Sequence, residues 1–259
     1  MAYTIAEKLM KKNRCFLAGA KWKGGKPTGI MIHSNGCQGV AAKDWPGRWN
    51  NMLSSKAAHA HVDSTSVVQA LPWNIRGWHA GGKANQTHLG VEFSEPLTDT
   101  PEDFAAAWER GVWLTVYWCQ MFGLTADNVI AHYEGYKLGV ASNHGDVRND
   151  PAYKRAADKK GQGYFTRNGK TMDDFRAAVR IALAVAAADP VALPRTVQRG
   201  DVGTAVRKLQ TTLNKLGYGL EVDGAFGPKT EKAVRAYQKK VGILIDGIVG
   251  PQTWGKLLA

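Results

Sequence analysis

Three polar side chains stand inside runs that are otherwise apolar. His33 closes the run 29–32, GIMI, and His132 closes the run 128–131, NVIA. Glu92 lies within LGVEFS, residues 89–94. A carboxylate in an interior strand is costly to bury unless it is paired or does chemistry. Taken singly, each histidine reads as a packed structural imidazole. Taken together, two strand-end histidines and a strand carboxylate converge on one edge of a sheet and read as a reaction centre. Two imidazoles, a third N or O ligand and one open position for water make a catalytic zinc site. The loop after His132 offers Glu134, His144, Asp146 and Asp150 as third ligand, with the turn-forming SNHGD able to fold one back toward the strand ends.

The elements that must hold these residues alternate in type. The spacing predicts helices over 3–12, 102–122 and 171–188, and strands over 28–33, 59–63, 66–71, 88–94 and 128–132. On strand alternation Val91 and Phe93 share one face and Glu92 points to the other. The mixture gives an α/β fold, a central mixed β-sheet flanked by helices. His59 and His61 alternate on one strand, so at least one is structural, and His88 takes no role. Cys37, close after His33, reads as a small core thiol. Trp45, Trp49 and Trp73 fit a groove wall and core packing equally well.

The chain has 259 residues and a formal net charge of +12, which calls for a polyanionic partner. Its three cysteines include no CxxC, which excludes a disulfide framework and a zinc knuckle. The first 15 residues lack the apolar core of a signal peptide. The apolar stretch 111–126 is too short and too polar to span a membrane. Synthesis in the cytoplasm, no membrane insertion and a monomer are expected.

A seam with two prolines falls near 188–200. It divides the chain into 1–187, a linker 188–197, and a tail 198–259. From Arg195 onward the chain carries 11 Lys/Arg against 5 Asp/Glu, about three times the charge density of the rest. Within it VDGAFGPKTEKAV (222–234) is echoed 23 residues later by IDGIVGPQTWGKL (245–257). Asp-Gly makes a turn, and Gly-Pro places proline at the first position of a helix. Before them Val206, Leu209, Leu213 and Leu216 form one apolar stripe, stopped by Gly217. The tail reads as a small all-α domain of two or three short helices.

In this order, GIMIHSNG, GWHAGG, LGVEFSE and VIAHYEG…NHGD resemble the zinc-dependent N-acetylmuramoyl-L-alanine amidases, a superfamily that includes phage endolysins and the peptidoglycan recognition proteins. The likeness spans about residues 25–150. The tail's DGxxGPxT turns resemble the small three-helix peptidoglycan-binding domain. The resemblance implies Zn2+ held by His33, His132 and Asp146, with Asp150 before Pro151 as the rival. It implies Glu92 as the catalytic acid–base, and His144 at the place of the family's lysine. Trp78 and His79 would line the groove and bind substrate. The implied reaction is hydrolysis of the amide between N-acetylmuramic acid and L-alanine in bacterial peptidoglycan, with anionic wall polymers as further partners. An endolysin made in a host cytoplasm and acting on the cell wall fits the missing leader. A recognition protein that binds peptidoglycan without cutting it is the alternative. Nucleic acid is excluded, since the basic charge is not accompanied by base-reading motifs.

Overall fold

The computed structural model describes residues 3–142, 163–188 and 196–258. The chain divides into two compact units, residues 1–116 with 124–184, and residues 117–123 with 185–259.

The first unit is built on a six-stranded sheet. Its strands are β1 (Ile5–Glu7), β2 (Gly29–Ser34), β3 (Ala60–Val62), β4 (Val67–Gln69), β5 (His88–Phe93) and β6 (Val129–Ala131), in the order β1-β4-β3-β5-β2-β6. Only β3 and β4 pair antiparallel, so the sheet is mixed as expected. β2 is interior, and Ile30, Met31 and Ile32 are fully buried, which is why it reads as an unbroken apolar run.

The helices that begin in this unit are α1 (Arg14–Ala18), α2 (Trp45–Trp49), α3 (Pro101–Phe122), α4 (His132–Lys137), α5 (Tyr164–Arg167) and α6 (Met172–Ala188). Thr171 and Asp174 close a capping box at the start of α6: the Asp174 N–H donates to the threonine hydroxyl at 3.1 Å, and the Thr171 N–H donates to the Asp174 carboxylate at 2.8 Å. Phe93 packs among Phe165, Phe175 and Tyr164, on the face opposite Glu92. α3 comes so close here that a Cβ at Gly111 would lie 2.1 Å from the Phe93 ring.

The helix expected over 3–12 is absent. Residues 5–7 pair in parallel with Val67–Gln69, and the Lys8 and Met10 N–H groups donate to Gln69 and Ala70 carbonyls at 2.9 and 3.0 Å. Sheet pairing takes the donors that a helix would have used. Cys37 is exposed, not a core thiol, because the turn at Gly36 (φ 58°) carries the chain off the sheet.

The β3–β4 hairpin is organised by Asp63. Its carboxylate accepts from the Thr65 and Ser66 N–H groups at 2.8 and 2.7 Å, from both hydroxyls, and from the Ala42 N–H at 2.7 Å. Burial pushes its pKa up, but these donors outweigh that and hold it below the ordinary carboxylate value. A depressed folded-state pKa contributes stability that is present above the unfolded value, about 3.9, and lost as pH falls through the folded one. Asp63→Asn is therefore expected to cost about 2–4 kcal/mol at pH 7. Urea melts at pH 7 and pH 3 check this: the gap between variant and parent narrows at the lower pH.

The second unit contains α7 (Thr204–Lys215), α8 (Pro228–Lys240) and α9 (Pro251–Leu258) around Val206, Leu209, Leu213, Phe226, Val234, Tyr237 and Trp254. Leu216, expected on the apolar stripe, is 45% exposed because it follows the last helical residue. The duplication is deeper than the turns. Gln210 donates to Asp223 at 2.7 Å and accepts from the Gly224 N–H at 2.9 Å. Gln238 repeats both bonds, with Asp246 at 2.8 Å and the Gly247 N–H at 2.9 Å. Arg207 and Arg235, three residues before each glutamine, donate to the Val222 and Ile245 carbonyls at 2.7 and 2.8 Å.

Candidate active site

In open α/β sheets, ligands bind beyond the carboxyl ends of parallel strands. β5, β2 and β6 are adjacent and parallel, and Glu92, His33 and His132 all lie at those ends. His33 pairs in register with Glu92, and Ile32 pairs with Ala131, which places His132 level with His33. His132 is not a strand residue as expected. It is the first residue of α4.

The Nδ1 atoms of His33 and His132 face each other at 3.2 Å. The tautomers follow from the other ring nitrogens. His132 Nε2 lies 2.9 Å from the Ser142 carbonyl, and His79 Nε2 lies 2.9 Å from the His88 carbonyl. A carbonyl only accepts, so both Nε2 atoms carry protons. His79 Nδ1 is then an acceptor, and His33 Nε2–H donates to it at 2.9 Å. With both rings neutral, the facing Nδ1 atoms present lone pairs rather than protons. Two lone pairs at this distance repel, and a cation turns them into a ligand pair. Two imidazoles on a tetrahedral zinc, each at about 2.0–2.1 Å, hold their nitrogens about 3.3–3.4 Å apart. Zinc fits this pair.

Among the described residues no group of three His, Cys, Asp or Glu side chains is placed to hold a metal. His144, Asp146 and Asp150 lie outside the described residues. Glu134 is engaged elsewhere. It accepts from the Ala131 N–H at 2.8 Å, and Arg176 of α6 grips it through two bonds of 2.9 and 3.0 Å. Arg176 also donates to the Val129 carbonyl at 3.2 Å. Glu134 and Arg176 thus clamp both flanks of His132. Sequence reading offered Glu134 as a ligand and missed Arg176; the signal was a glutamate at the third position of a helix, where it reaches back to the cap.

His79 holds His33 from behind, and both its ring nitrogens are used inside the protein. Gly90 makes the room: a Cβ there would sit 2.5 Å from the His79 ring. Gly90→Ala is expected to displace His79 and weaken zinc binding about 10- to 100-fold. Competition against a chromogenic chelator measures it. Trp78 bridges Ala57 through two backbone bonds of 2.9 and 2.8 Å and packs against the buried cluster that includes Met10, Cys15 and Ile75. His59 is structural, accepting from the Gly90 N–H at 2.9 Å and donating to the Ile75 carbonyl at 3.0 Å. Trp73 is core, while Trp45 and Trp49 enclose His61.

Glu92 is 8% exposed. Burial pushes its carboxyl up to about 8; Lys56 draws it down and Glu95 adds to the rise. A carboxyl poised near neutrality is suited to give and take protons. Beside it Ser34 donates to Glu95, which pairs with Arg167 at 2.6 Å. This pair ties the exit of β2 to α5.

The family model for N-acetylmuramoyl-L-alanine amidase matches residues 23–153, just over half of the chain. This chain belongs to that family. A model for a putative peptidoglycan binding domain matches residues 202–257 of this amidase-family chain. It is 26% identical over 245 residues to a probable N-acetylmuramoyl-L-alanine amidase of Bacillus licheniformis, covering 87% of this chain and 65% of that protein. It is 26% identical over 261 residues to the N-acetylmuramoyl-L-alanine amidase XlyA of Bacillus subtilis, covering 84% and 86%. In fold it is similar to the Staphylococcus aureus hydrolase AmiA, with a TM-score of 0.61 at 18% identity over 74% of this chain and 89% of that one. Among the described residues no helix is long and apolar enough to cross a membrane.

Proposed function

We propose that this chain is a zinc-dependent amidase of bacterial peptidoglycan, cutting the amide between the lactyl group of N-acetylmuramic acid and L-alanine. The observation that carries the reading is the facing pair of Nδ1 lone pairs beside a buried carboxylate, together with the family. His33, His132 and Asp146 would hold the zinc, with Asp150 the alternative third ligand. When bound, the metal supplies an activated water and polarises the scissile carbonyl.

The chain's own residues do the rest. Glu92 takes the proton of the attacking water and passes it to the departing nitrogen. The C–N bond breaks, a C–O bond forms, and the products are a lactyl carboxylate and a free alanine amine. His144 would donate to the oxyanion. His79, Glu134 and Arg176 keep the two imidazoles aimed. The tail, residues 198–259, would hold the enzyme on the wall, its positive charge suited to peptidoglycan and anionic wall polymers.

The test is mass analysis of purified walls after incubation with the chain. Intact disaccharides with lactyl carboxylates and stem peptides with free N-terminal alanine are expected. Tight binding to walls with no new alanine amine would favour the non-catalytic recognition reading instead.

A further inference from the structure

His61 is a buried group that the amidase reading leaves unused. It is fully buried on β3, and among the described residues neither ring nitrogen has a hydrogen-bond partner. Two dry polar atoms cost stability that an apolar side chain would not. Burial pushes the imidazole down to about 3, so the ring is neutral, with one N–H and one lone pair. Strand register fixes its neighbours: Val68 on β4 to one side and Glu92 on β5 to the other. Paired residues share a face, and adjacent strands lie about 4.8 Å apart. Val68 offers no acceptor. Glu92 offers a carboxylate that no described residue hydrogen-bonds, and beyond it in the same row stands His33. Trp45 lies parallel to the imidazole at 6.1 Å and Trp49 meets it edge-on at 5.0 Å, so two rings limit its swing.

We infer that His61 is a positioning residue for Glu92: its N–H, unpaired among the described residues, would donate to the carboxylate once that is ionised and hold the base toward His33. This rests on the assignment of Glu92 as the base. Catalysis exposes a negative charge in a dry row, and His61 is the donor built beside it.

The experiment compares His61→Gln, which keeps an N–H, with His61→Met, which has similar length and none. Zinc content, melting temperature, kcat and KM are measured on the full chain with one wall-fragment substrate. His61→Met is expected to bind zinc as the parent does, to melt at the same temperature or about 2–4 °C higher, and to lose kcat about 10- to 100-fold with little change in KM. His61→Gln is expected to recover most of that loss. Full kcat in His61→Met, or equal losses in both variants, overturns the inference. Should His61→Met not fold, His61→Phe, flat between the same tryptophans, is the second donor-free variant and is read by the same criteria. Turnover surviving in Glu92→Gln would remove Glu92 as the base on which the inference rests; a dead Glu92→Gln beside a fully active His61→Met removes only the role of His61.

Discussion

Glu92→Gln is expected to keep its zinc and its fold and to lose about 10²- to 10⁴-fold in kcat. The substitution keeps the shape and removes only the ability to take a proton. Glu92 touches neither of the bonds that aim His33 and His132, so metal binding has no reason to change. The melting temperature should hold or rise, because a neutral amide is easier to bury than a carboxylate. The parent's own pH dependence follows. Burial sets the Glu92 carboxyl at about 8, and a bound dication draws it down. The acid limb of kcat/KM is thus expected between the ordinary glutamate value of about 4.3 and that upper bound, rising with pH as the base ionises. In Glu92→Gln that limb disappears. Zinc content by elemental analysis, thermal melts and amine release on the same preparation decide the matter. A variant that loses zinc together with activity would point to a structural carboxylate.

Removal of the proposed metal is expected to be the second large effect. Treatment with a strong chelator is expected to abolish amide cleavage, and one equivalent of zinc to restore it. His33→Ala should bind no stoichiometric zinc. One imidazole cannot close the site, and His79 would face an empty place with the acceptor that His33 now satisfies. The same assay separates the rivals for third ligand. Asp146→Ala is expected to lose zinc, and Asp150→Ala to retain it. The reverse result moves the ligand four residues along without touching the roles of His33 and His132. Retained stoichiometric zinc in both aspartate variants would show that neither carboxylate completes the site.

Much of this centre was readable from residue order, for a physical reason. β2 and β5 are interior parallel strands, so they appear as continuous apolar runs, and His33 and Glu92 stand out against them. β1 could not be read. It is three residues long, and its partners on β4 lie some sixty positions away. His79 was visible as part of GWHAGG, but its bond to His33 depends on a gap left by Gly90 on another strand. Glu134 stood among the candidates for third ligand because nothing nearby reveals Arg176, 42 residues on. In the tail the two Asp-Gly turns were plain. The glutamines that brace them were hidden, because the spacing from glutamine to aspartate is 13 residues in one copy and 8 in the other.

The helix α8 belongs to both copies of that duplication. Its first turn, through Thr230, completes the Gln210 network, and Arg235 and Gln238 near its end open the next. The copies are therefore interleaved rather than joined, and neither can be excised whole.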